Sequence, residues 1–379
     1  MSDNLRFHLE SRSRFTRIAV LTGAALLTLA AGLIVLEILF GRWFSQDPWA
    51  DTVALNLIRD RTVYYDVHQF YASSRTAVRY TRDQYGLRGT HRSAEDIELL
   101  TVGGSTTDQH YVDDEETWQH ILQERLQTRF RQSYAVANAG VSGHSTHAHL
   151  ASFERWFPLI PRLAPRYILF YVGINDVFVG ENSPFDNATA ASTDLIGTLK
   201  HSSALYRLYT LWHGTIRALE AGLVKSEQLT AVVWTTVPLR SAAAEFYSTS
   251  AARFGDRINR LLDQARAMGA RPICVTQPVR YFRSGRDRRI EGTAEIFESP
   301  EGPMNGVDYY HKKQALDREL IRRCRDAGAI AVDLAAQEWE DEDFYDYVHM
   351  VPRGTRKVGE RLAEALGSRL HAGELQAAN

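Results

Sequence analysis

Asp346 and His349 stand three residues apart in the segment FYDYVHMVPRG, directly before an amphipathic stretch. At that spacing a carboxylate can take the Nδ1 proton of the histidine and leave Nε2 free to deprotonate a hydroxyl group. Ser105, in the segment TVGGSTTD, can supply that hydroxyl group, because the two glycines before it allow a tight turn. These three residue types could together perform nucleophilic acyl chemistry.

Two further residues are suited to hold the oxyanion that develops during acyl transfer. Gly143, in VANAGVSGHST, offers an unobstructed backbone N–H, and Asn175, in YVGINDVF, offers a side-chain amide. Each segment alone is weak evidence, since glycine-flanked serine turns and isolated Asp-x-x-His patterns are common. Their order along the chain, each near the end of an apolar run, indicates one shared site.

The elements that must position these residues are predicted from Ile97 onward, where short apolar runs alternate with amphipathic stretches. The apolar runs end at Val102, Asn138, Val172, Gln277 and Leu334. Crossover helices are predicted at 117–130, 145–156, 246–268 and 309–327, with a closing helix at 354–370. The predicted fold is a three-layer α/β/α sandwich with five parallel strands, whose chemistry gathers at the carboxyl ends of the strands.

The N-terminal segment predicts one transmembrane helix. Residues 18–40 carry a single charge, Glu37, near the end of the run, and their length suits one bilayer crossing. Four arginines precede the run, so the positive-inside rule leaves the N-terminus in the cytoplasm and the rest of the chain outside. We expect a single-pass protein of the inner membrane with a periplasmic domain. A cleaved signal peptide is the alternative, but the apolar run continues past the small residues at 30–32.

The remaining sequence predicts the domain organisation. A stretch at 178–245 is too long for a connection and contains helical material at 203–221, so we expect an insertion over the active-site edge. A second long surface loop is expected at 283–305. The predicted order is a basic cytoplasmic N-terminus (1–17), an anchor (18–40), a stalk and lead-in (41–96), a catalytic domain (97–370) and a tail (371–379).

Composition limits the partners. The formal net charge is -2 and the pI about 6.7, so no global positive field is available to hold nucleic acid. Cys274 and Cys324 are interpreted as packing residues, although a disulfide stays open if the domain faces an oxidising compartment. An Asn187-Ala188-Thr189 acceptor for glycosylation is also present, a motif that often arises by chance.

Three histidines after the second apolar run could suggest a metal site. We interpret His144, His147 and His149 as a polar helix start that lines the cleft. Helical spacing would place His144 and His147 on one face and turn His149 away. No metal and no cofactor are predicted.

The four segments together resemble the SGNH/GDSL hydrolase superfamily, over about residues 85–370. The matching blocks are GGSTT at Ser105, VSGHS at Gly143, GIND at Gly173, Asn175 and Asp176, and DYVH at Asp346 and His349. The resemblance implies a flavodoxin-like five-stranded sheet and no metal. It also implies an oxyanion hole formed by the Ser105 N–H, the Gly143 N–H and the Asn175 side chain.

Two departures from the family pattern bear on substrate. Gly104 stands where many relatives have aspartate, although the GGST form is similar to a bacterial subgroup often found beside envelope-polysaccharide enzymes. Asp108 and His110 stand where that subgroup commonly has an aromatic residue and a glycine. We expect these changes to alter the rim of the pocket.

The resemblance implies a serine-dependent acyl-ester hydrolase or O-acyltransferase that acts on envelope or extracellular carbohydrate esters, with acetyl favoured as the acyl group. The expected partners are an acylated carbohydrate or other ester and the cytoplasmic membrane. A membrane acyltransferase is a further candidate partner. The alternatives are a lipid esterase or thioesterase, and a non-catalytic module that binds glycan or docks onto a membrane acyltransferase.

Overall fold

The computed structural model describes residues 3–41, 43, 48–180, 202–206, 208–209, 212, 232–240, 244–285 and 287–370. The chain divides into two compact units, Met1–Ala50 with Ala191–Leu223, and Asp51–Ala190 with Val224–Asn379. Three predicted features lie wholly or mostly outside the described residues: the tail at 371–379, the acceptor Asn187 and the insertion at 178–245.

The first unit contains the long helix α1 (Asp3–Phe40). Its stretch Val20–Phe40, 21 residues, is long and apolar enough to cross a membrane, and none of that stretch is buried in protein. The helix therefore agrees with the apolar run at 18–40. In the same unit, residues 202, 204–206, 208–209 and 212 are helical, and all of them except 202 lie within the stretch 203–221 where the sequence predicts helix.

The second unit begins with an antiparallel hairpin of β1 (Arg61–Tyr65) and β2 (Val78–Arg82). Strand β2 alternates, so that Val78, Tyr80 and Arg82 are buried while Arg79 is exposed. This alternation is typical of a strand with one covered face. The lead-in thus contributes buried side chains to the unit that carries the predicted catalytic residues.

The main sheet has five parallel strands, as the sequence predicts. Its strands are β3 (Ile97–Gly103), β4 (Ala135–Gly140), β5 (Tyr167–Tyr171), β7 (Arg271–Val275) and β10 (Ile330–Val332). Three further strands, β6 (Trp234–Thr235), β8 (Phe282–Ser284) and β9 (Ile290–Thr293), form a separate small sheet. The order across the main sheet is β10-β7-β5-β3-β4, and every pair is parallel. This order is flavodoxin-like, and its topological switch point lies between β3 and β5.

Helices cover both faces of the main sheet. They are α2 (Ser105–Asp108), α3 (Trp118–Phe130), α4 (Thr146–Arg155), α5 (Ser248–Ala267), α6 (Gly306–Asp326) and α7 (Pro352–Leu366). Helix α3 packs against α7, and α5 packs against α4 and α6. Leu99 of β3, Trp118 and Leu122 of α3, and Val358 and Leu362 of α7 belong to one buried cluster. The three-layer sandwich is confirmed.

Two predicted boundaries need correction. The segment at 283–305 is more than a surface loop, because it contains most of β8 and all of β9, which form an antiparallel sheet with β6. A run of arginines hides the apolar residues of these short strands in the sequence. The closing helix begins at Pro352 rather than Gly354, since proline is well suited to the first turn, where its missing N–H costs no hydrogen bond.

The two cysteines are joined in a disulfide, which corrects their interpretation as packing residues. Cys274 lies on β7 and Cys324 on α6, and their Cα atoms are 6.4 Å apart. Both residues are fully buried. The crossover that packs α6 onto the sheet brings the two together, a proximity that their separation of 50 residues does not reveal in the sequence.

Candidate active site

Ser105 is the first residue of α2 and follows β3 after the single residue Gly104. The Asp108 N–H donates to the Gly104 carbonyl at 2.9 Å and closes the turn. A Cβ atom at Gly104 would lie 2.5 Å from Asn175 Nδ2 and 3.1 Å from the His144 carbonyl oxygen. The missing side chain therefore allows three segments to approach each other, which gives a physical reason for glycine at this position.

Asp346 and His349 lie in the loop between β10 and α7, where Phe344 and Met350 form an isolated antiparallel bridge. The N–H groups of Val348 and His349 donate to Asp346 Oδ1 at 2.8 and 2.7 Å. The other carboxylate oxygen, Oδ2, lies 2.7 Å from His349 Nδ1. One carboxylate thus fixes both the backbone of the loop and the orientation of the imidazole ring.

The Nε2 atom of His349 lies 2.7 Å from Ser105 Oγ. An ionised carboxylate can only accept hydrogen bonds, so Nδ1 carries the proton toward Asp346 and Nε2 is left to accept from the serine hydroxyl. The Tyr345 ring stacks on the imidazole, with centroids 5.5 Å apart and planes 10° apart. The side chains of His349 and Asp346 are 25% and 29% exposed, so the arrangement is open to a substrate. Such a triad can deprotonate a serine for attack on an ester carbonyl.

Burial and the partner's charge shift the pKa values of Asp346 and His349 in opposite directions. Burial alone disfavours the imidazolium, but the Asp346 carboxylate outweighs it and raises the pKa of His349 above its usual 6.5. Burial likewise opposes ionisation of Asp346, but the nearby His349 and two backbone N–H groups hold the pKa of this carboxyl below 3.8. Asp346 therefore remains ionised at neutral pH, as an acceptor for Nδ1–H.

Asn175 begins a short 3₁₀ turn after β5, and its Nδ2 donates to the His144 carbonyl at 2.7 Å. Asn175 and Ser105 line one small recess, together with Gly104 and His144. Gly143 precedes His144 in an exposed turn and has a positive φ of 83°, which favours glycine. The structure brings Ser105, Asp346, His349 and Asn175 to one edge of the sheet, at the switch point between β3 and β5. Gly143 directly precedes His144, which lines the recess.

Gln277 is a polar residue of this edge whose role the sequence analysis missed. Its Nε2 donates to Thr106 Oγ1 at 2.7 Å and to the Tyr171 carbonyl at 3.0 Å, while its Oε1 accepts from the Ile174 N–H at 3.0 Å. The side chain is 2% exposed and lines the same recess as Ser105. One amide thus connects the residue after the serine with the residue before Asn175. Its position at the end of an apolar run was the available signal.

Asp108 is buried beneath the serine turn rather than on the pocket rim, which corrects the sequence expectation. Its carboxylate accepts from Tyr80 Oη at 2.9 Å and from Ser142 Oγ at 3.0 Å, and it pairs with Arg82 and His110. Burial alone would raise the pKa of this carboxyl, but the Arg82 guanidinium and His110 hold it well below its usual value. Through Ser142, the residue before Gly143, this ionised group connects the serine turn with the second block.

Arg88 of the lead-in holds the same turn from below. Its guanidinium donates to the carbonyls of Asp108, Gln109 and Val112 at 2.7, 2.8 and 2.6 Å, and it pairs with Asp114. The side chain is 2% exposed. Buried carbonyls at the end of a short helix need such donors, so part of the lead-in has a positioning role.

The predicted facing of the three histidines is wrong. His144 precedes α4, so helical spacing does not apply to it, and its ring lies 5.7 Å from that of His149. His144 Nε2 donates to the Leu55 carbonyl at 2.7 Å, and burial lowers the pKa of His144 to about 4. Among the described residues, no group of three or more His, Cys, Asp or Glu side chains is placed to hold a metal ion.

Asp176, in the same block as Asn175, has a structural position. Its carboxylate accepts from the Thr146 N–H at 3.3 Å and from Thr146 Oγ1 at 2.5 Å, and it pairs with Arg257 at 3.4 Å. It therefore caps the start of α4 and fixes the turn that carries Gly143 and His144.

A protein-family model matches the part of the chain that carries this site. The model of the GDSL-like lipase/acylhydrolase family matches residues 101–357, which contain all the residues predicted for the site. No curated protein sequence matches the chain.

Three solved structures that resemble this chain share little sequence identity with it. An α/β hydrolase enzyme from the metagenome of Lake Arreo, Spain, is 15% identical, with a TM-score of 0.39 over 72% of this chain and 96% of that chain. A catalytic mutant of an acetylxylan esterase from Geobacillus stearothermophilus is 12% identical, with a TM-score of 0.40, and the match covers 71% of this chain and 93% of that chain. A GDSL-like lipase from Bacteroides thetaiotaomicron is 14% identical, with a TM-score of 0.37 over 73% and 90%.

Proposed function

Because this chain belongs to the GDSL-like lipase/acylhydrolase family, we propose that it cleaves an acyl ester of a carbohydrate outside the cytoplasmic membrane through a covalent intermediate on Ser105. The observation that carries the proposal is the continuous hydrogen-bonded chain from Asp346 through His349 to Ser105, with distances of 2.7 Å at both steps. The recess lined by Ser105 and Asn175 lies beside it.

In the proposed reaction, Ser105 Oγ attacks the ester carbonyl and His349 Nε2 takes the hydroxyl proton. The carbonyl oxygen becomes an oxyanion, which the Asn175 amide and the N–H groups of Ser105 and Gly143 would stabilise. His349 then gives its proton to the leaving alkoxide, and the ester bond breaks to leave an acyl-enzyme. Water or a sugar hydroxyl then attacks the acyl-enzyme while His349 accepts its proton, and the bond from the acyl group to Ser105 Oγ breaks as His349 returns that proton to Oγ. Water makes the protein an esterase, and a sugar hydroxyl makes it an O-acyltransferase.

The lining of the recess supports a short acyl group. On the side of Asn175 it contains the buried residues His144, Ile174 and Gln277, two of which are polar. A long acyl chain needs a continuous apolar lining, whereas an acetyl group needs only a small space next to the serine. A second recess, on the His349 side of Ser105, is lined largely by apolar and aromatic residues, so the preference for a short acyl group rests on the Asn175 side alone. The assignment of a carbohydrate rests on the GGST resemblance and is an analogy.

Two observations support a location outside the cytoplasm. The stretch Val20–Phe40 has the length and composition of a membrane span with the arginines before it. The Cys274–Cys324 disulfide suits an oxidising compartment such as the periplasm. A reporter fused after Asn379 should be active only if it works outside the cytoplasm. Cytoplasmic activity of the reporter would contradict this location.

The acyl group and its acceptor can be tested on the full chain in lipid nanodiscs. The chain is incubated with a small acetyl ester, with and without oligosaccharides, and free acetate and acetylated sugar are measured by mass spectrometry. Acetate release alone identifies an esterase, and acetylated sugar identifies a transferase. Cleavage of long-chain lipid esters alone would refute the carbohydrate assignment. A chain that binds glycan but turns over no ester would be the non-catalytic module.

A further inference from the structure

The helical residues around 202–212 have no role in the proposed chemistry. They belong to the same compact unit as α1, and their described members are residues 202, 204–206, 208–209 and 212. The sequence places them in a long stretch between β5 and β6 that a minimal sandwich does not require.

Four apolar or aromatic side chains of this segment share one helical face. Leu205, Leu208, Tyr209 and Trp212 follow the spacing i, i+3, i+4, i+7, which aligns side chains along one side of a helix. They are 37%, 64%, 53% and 63% exposed. A contiguous apolar stripe of this kind is unfavourable in water and marks an interaction surface.

The segment contacts the end of the apolar helix. The Leu205 N–H donates to Glu37 Oε2 at 3.0 Å, and Glu37 lies three residues before the end of the stretch Val20–Phe40. In a membrane, that end of α1 lies where hydrocarbon meets the lipid headgroups. The contact therefore brings the exposed stripe to the depth of the headgroups.

The residue types of the segment fit that depth. The Tyr206 and Tyr209 rings have centroids 6.2 Å apart, and Trp212 comes three residues after Tyr209 in the sequence. Tyrosine and tryptophan are enriched at membrane–water interfaces, because an apolar ring can enter the hydrocarbon while its polar atom stays hydrated.

We propose that the described helical residues 202, 204–206, 208–209 and 212 lie on the membrane surface, with Leu205, Leu208, Tyr209 and Trp212 inserted between headgroups and acyl chains. The insertion is then a second membrane contact in addition to α1. The inference rests on the proposed anchoring by α1, since the contact with Glu37 is what brings the stripe to the bilayer. Its occupant is lipid, as expected for an amphipathic helix beside a span.

A nitroxide label at Leu208→Cys tests this surface in the full chain. The sequence has two cysteines, and both are in the buried disulfide, so an introduced cysteine is labelled selectively. The chain is placed in nanodiscs of phosphatidylethanolamine and phosphatidylglycerol, and power saturation compares collisions with oxygen and with a nickel chelate. Oxygen concentrates in hydrocarbon and the chelate in water.

Two matched sites serve as controls. Ile34→Cys lies in the apolar stretch of α1 and Ile296→Cys lies in the other compact unit, and the native residues are 60% and 61% exposed, close to the 64% of Leu208. We expect the ratio of oxygen to nickel accessibility at Leu208 to be several-fold higher than at Ile296 and below that at Ile34.

Three results would overturn the proposal. A ratio at Leu208 equal to that at Ile296 would mean that the stripe faces water. Low accessibility to both reagents, with spin–spin broadening between labelled chains, would mean that a second copy covers the stripe. A water-accessible label at Ile34 would refute the anchoring itself and the surface contact with it. If the label at Ile34 is accessible to lipid, the first result would refute only the surface contact.

Discussion

His349 Nε2 lies 2.7 Å from Ser105 Oγ, although 244 residues separate them in the chain. Ser105 begins the turn after β3, and His349 comes from the loop before α7. The bidentate role of Asp346, which binds both the loop backbone and Nδ1, fixes the ring at this distance.

The pH dependence of ester cleavage should report His349. Only the neutral imidazole can accept the serine proton, so kcat/KM should fall as pH decreases through the pKa of His349. Since Asp346 raises that pKa above 6.5, the acidic limb should have its midpoint above 6.5. Asp346→Asn should move the limb to lower pH and reduce kcat by about 10⁴-fold. A limb at the same pH in both proteins would contradict this account of the pair.

Asn175→Ala should reduce kcat by about 10²–10³ and change KM little, because the amide is proposed to act on the transition state. The same substitution removes the hydrogen bond to the His144 carbonyl, so circular dichroism should verify that the fold is retained. Steady-state kinetics with a small acetyl ester provides the measurement. An effect confined to KM would assign Asn175 to substrate binding instead.

Gln277→Met should lower kcat by up to about 10²-fold, since small displacements of reacting groups are costly. The substitution removes all three hydrogen bonds that connect Thr106, Tyr171 and Ile174. Gln123→Met is the matched control: Gln123 is also buried, and it bonds Val136 and Thr90 instead. We expect the control to lose stability but keep kcat. Equal kcat values for the two variants would refute a positioning role for Gln277.

Replacing both cysteines should lower the free energy of unfolding by about 2–4 kcal/mol without changing kcat, because the disulfide closes a long loop in the unfolded chain. Cys274 and Cys324 are fully buried on β7 and α6, on the core side of both elements. Chemical denaturation of the Cys274→Ala/Cys324→Ala chain, compared with the native chain in non-reducing buffer, measures the difference. Two free thiols in the native chain under those conditions would contradict the disulfide.

The fold was predictable because its signals are local. Apolar runs that end at Val102, Asn138 and Val172 correspond to β3, β4 and β5, and their strand ends carry the glycines and polar residues of the site. Parallel strands buried on both faces leave this pattern in the sequence. The spacing of Asp346 and His349 predicts their contact for the same reason, since three residues in one loop remain close.

The missed features depend on tertiary contacts. Gln277 looks like the end of one more apolar run, and only the sheet order, in which β7 lies next to β5, brings its side chain to Thr106 after β3 and to Tyr171 of β5. The sequence places Asp108 near the rim of the pocket. Its burial depends on an ion pair with Arg82, which comes from the distant lead-in. Cys274 and Cys324 meet through a helix crossover. A single sequence contains no measure of these distances.

Turnover of a small acetyl ester by Ser105→Ala, beside the native chain, tests the central claim most directly. The substitution removes only the hydroxyl of a partly exposed side chain, so the fold and thermal stability should be nearly unchanged. If Ser105 is the nucleophile, the rate should fall by at least about 10⁴-fold. Turnover by folded Ser105→Ala at the native rate would contradict the proposed mechanism.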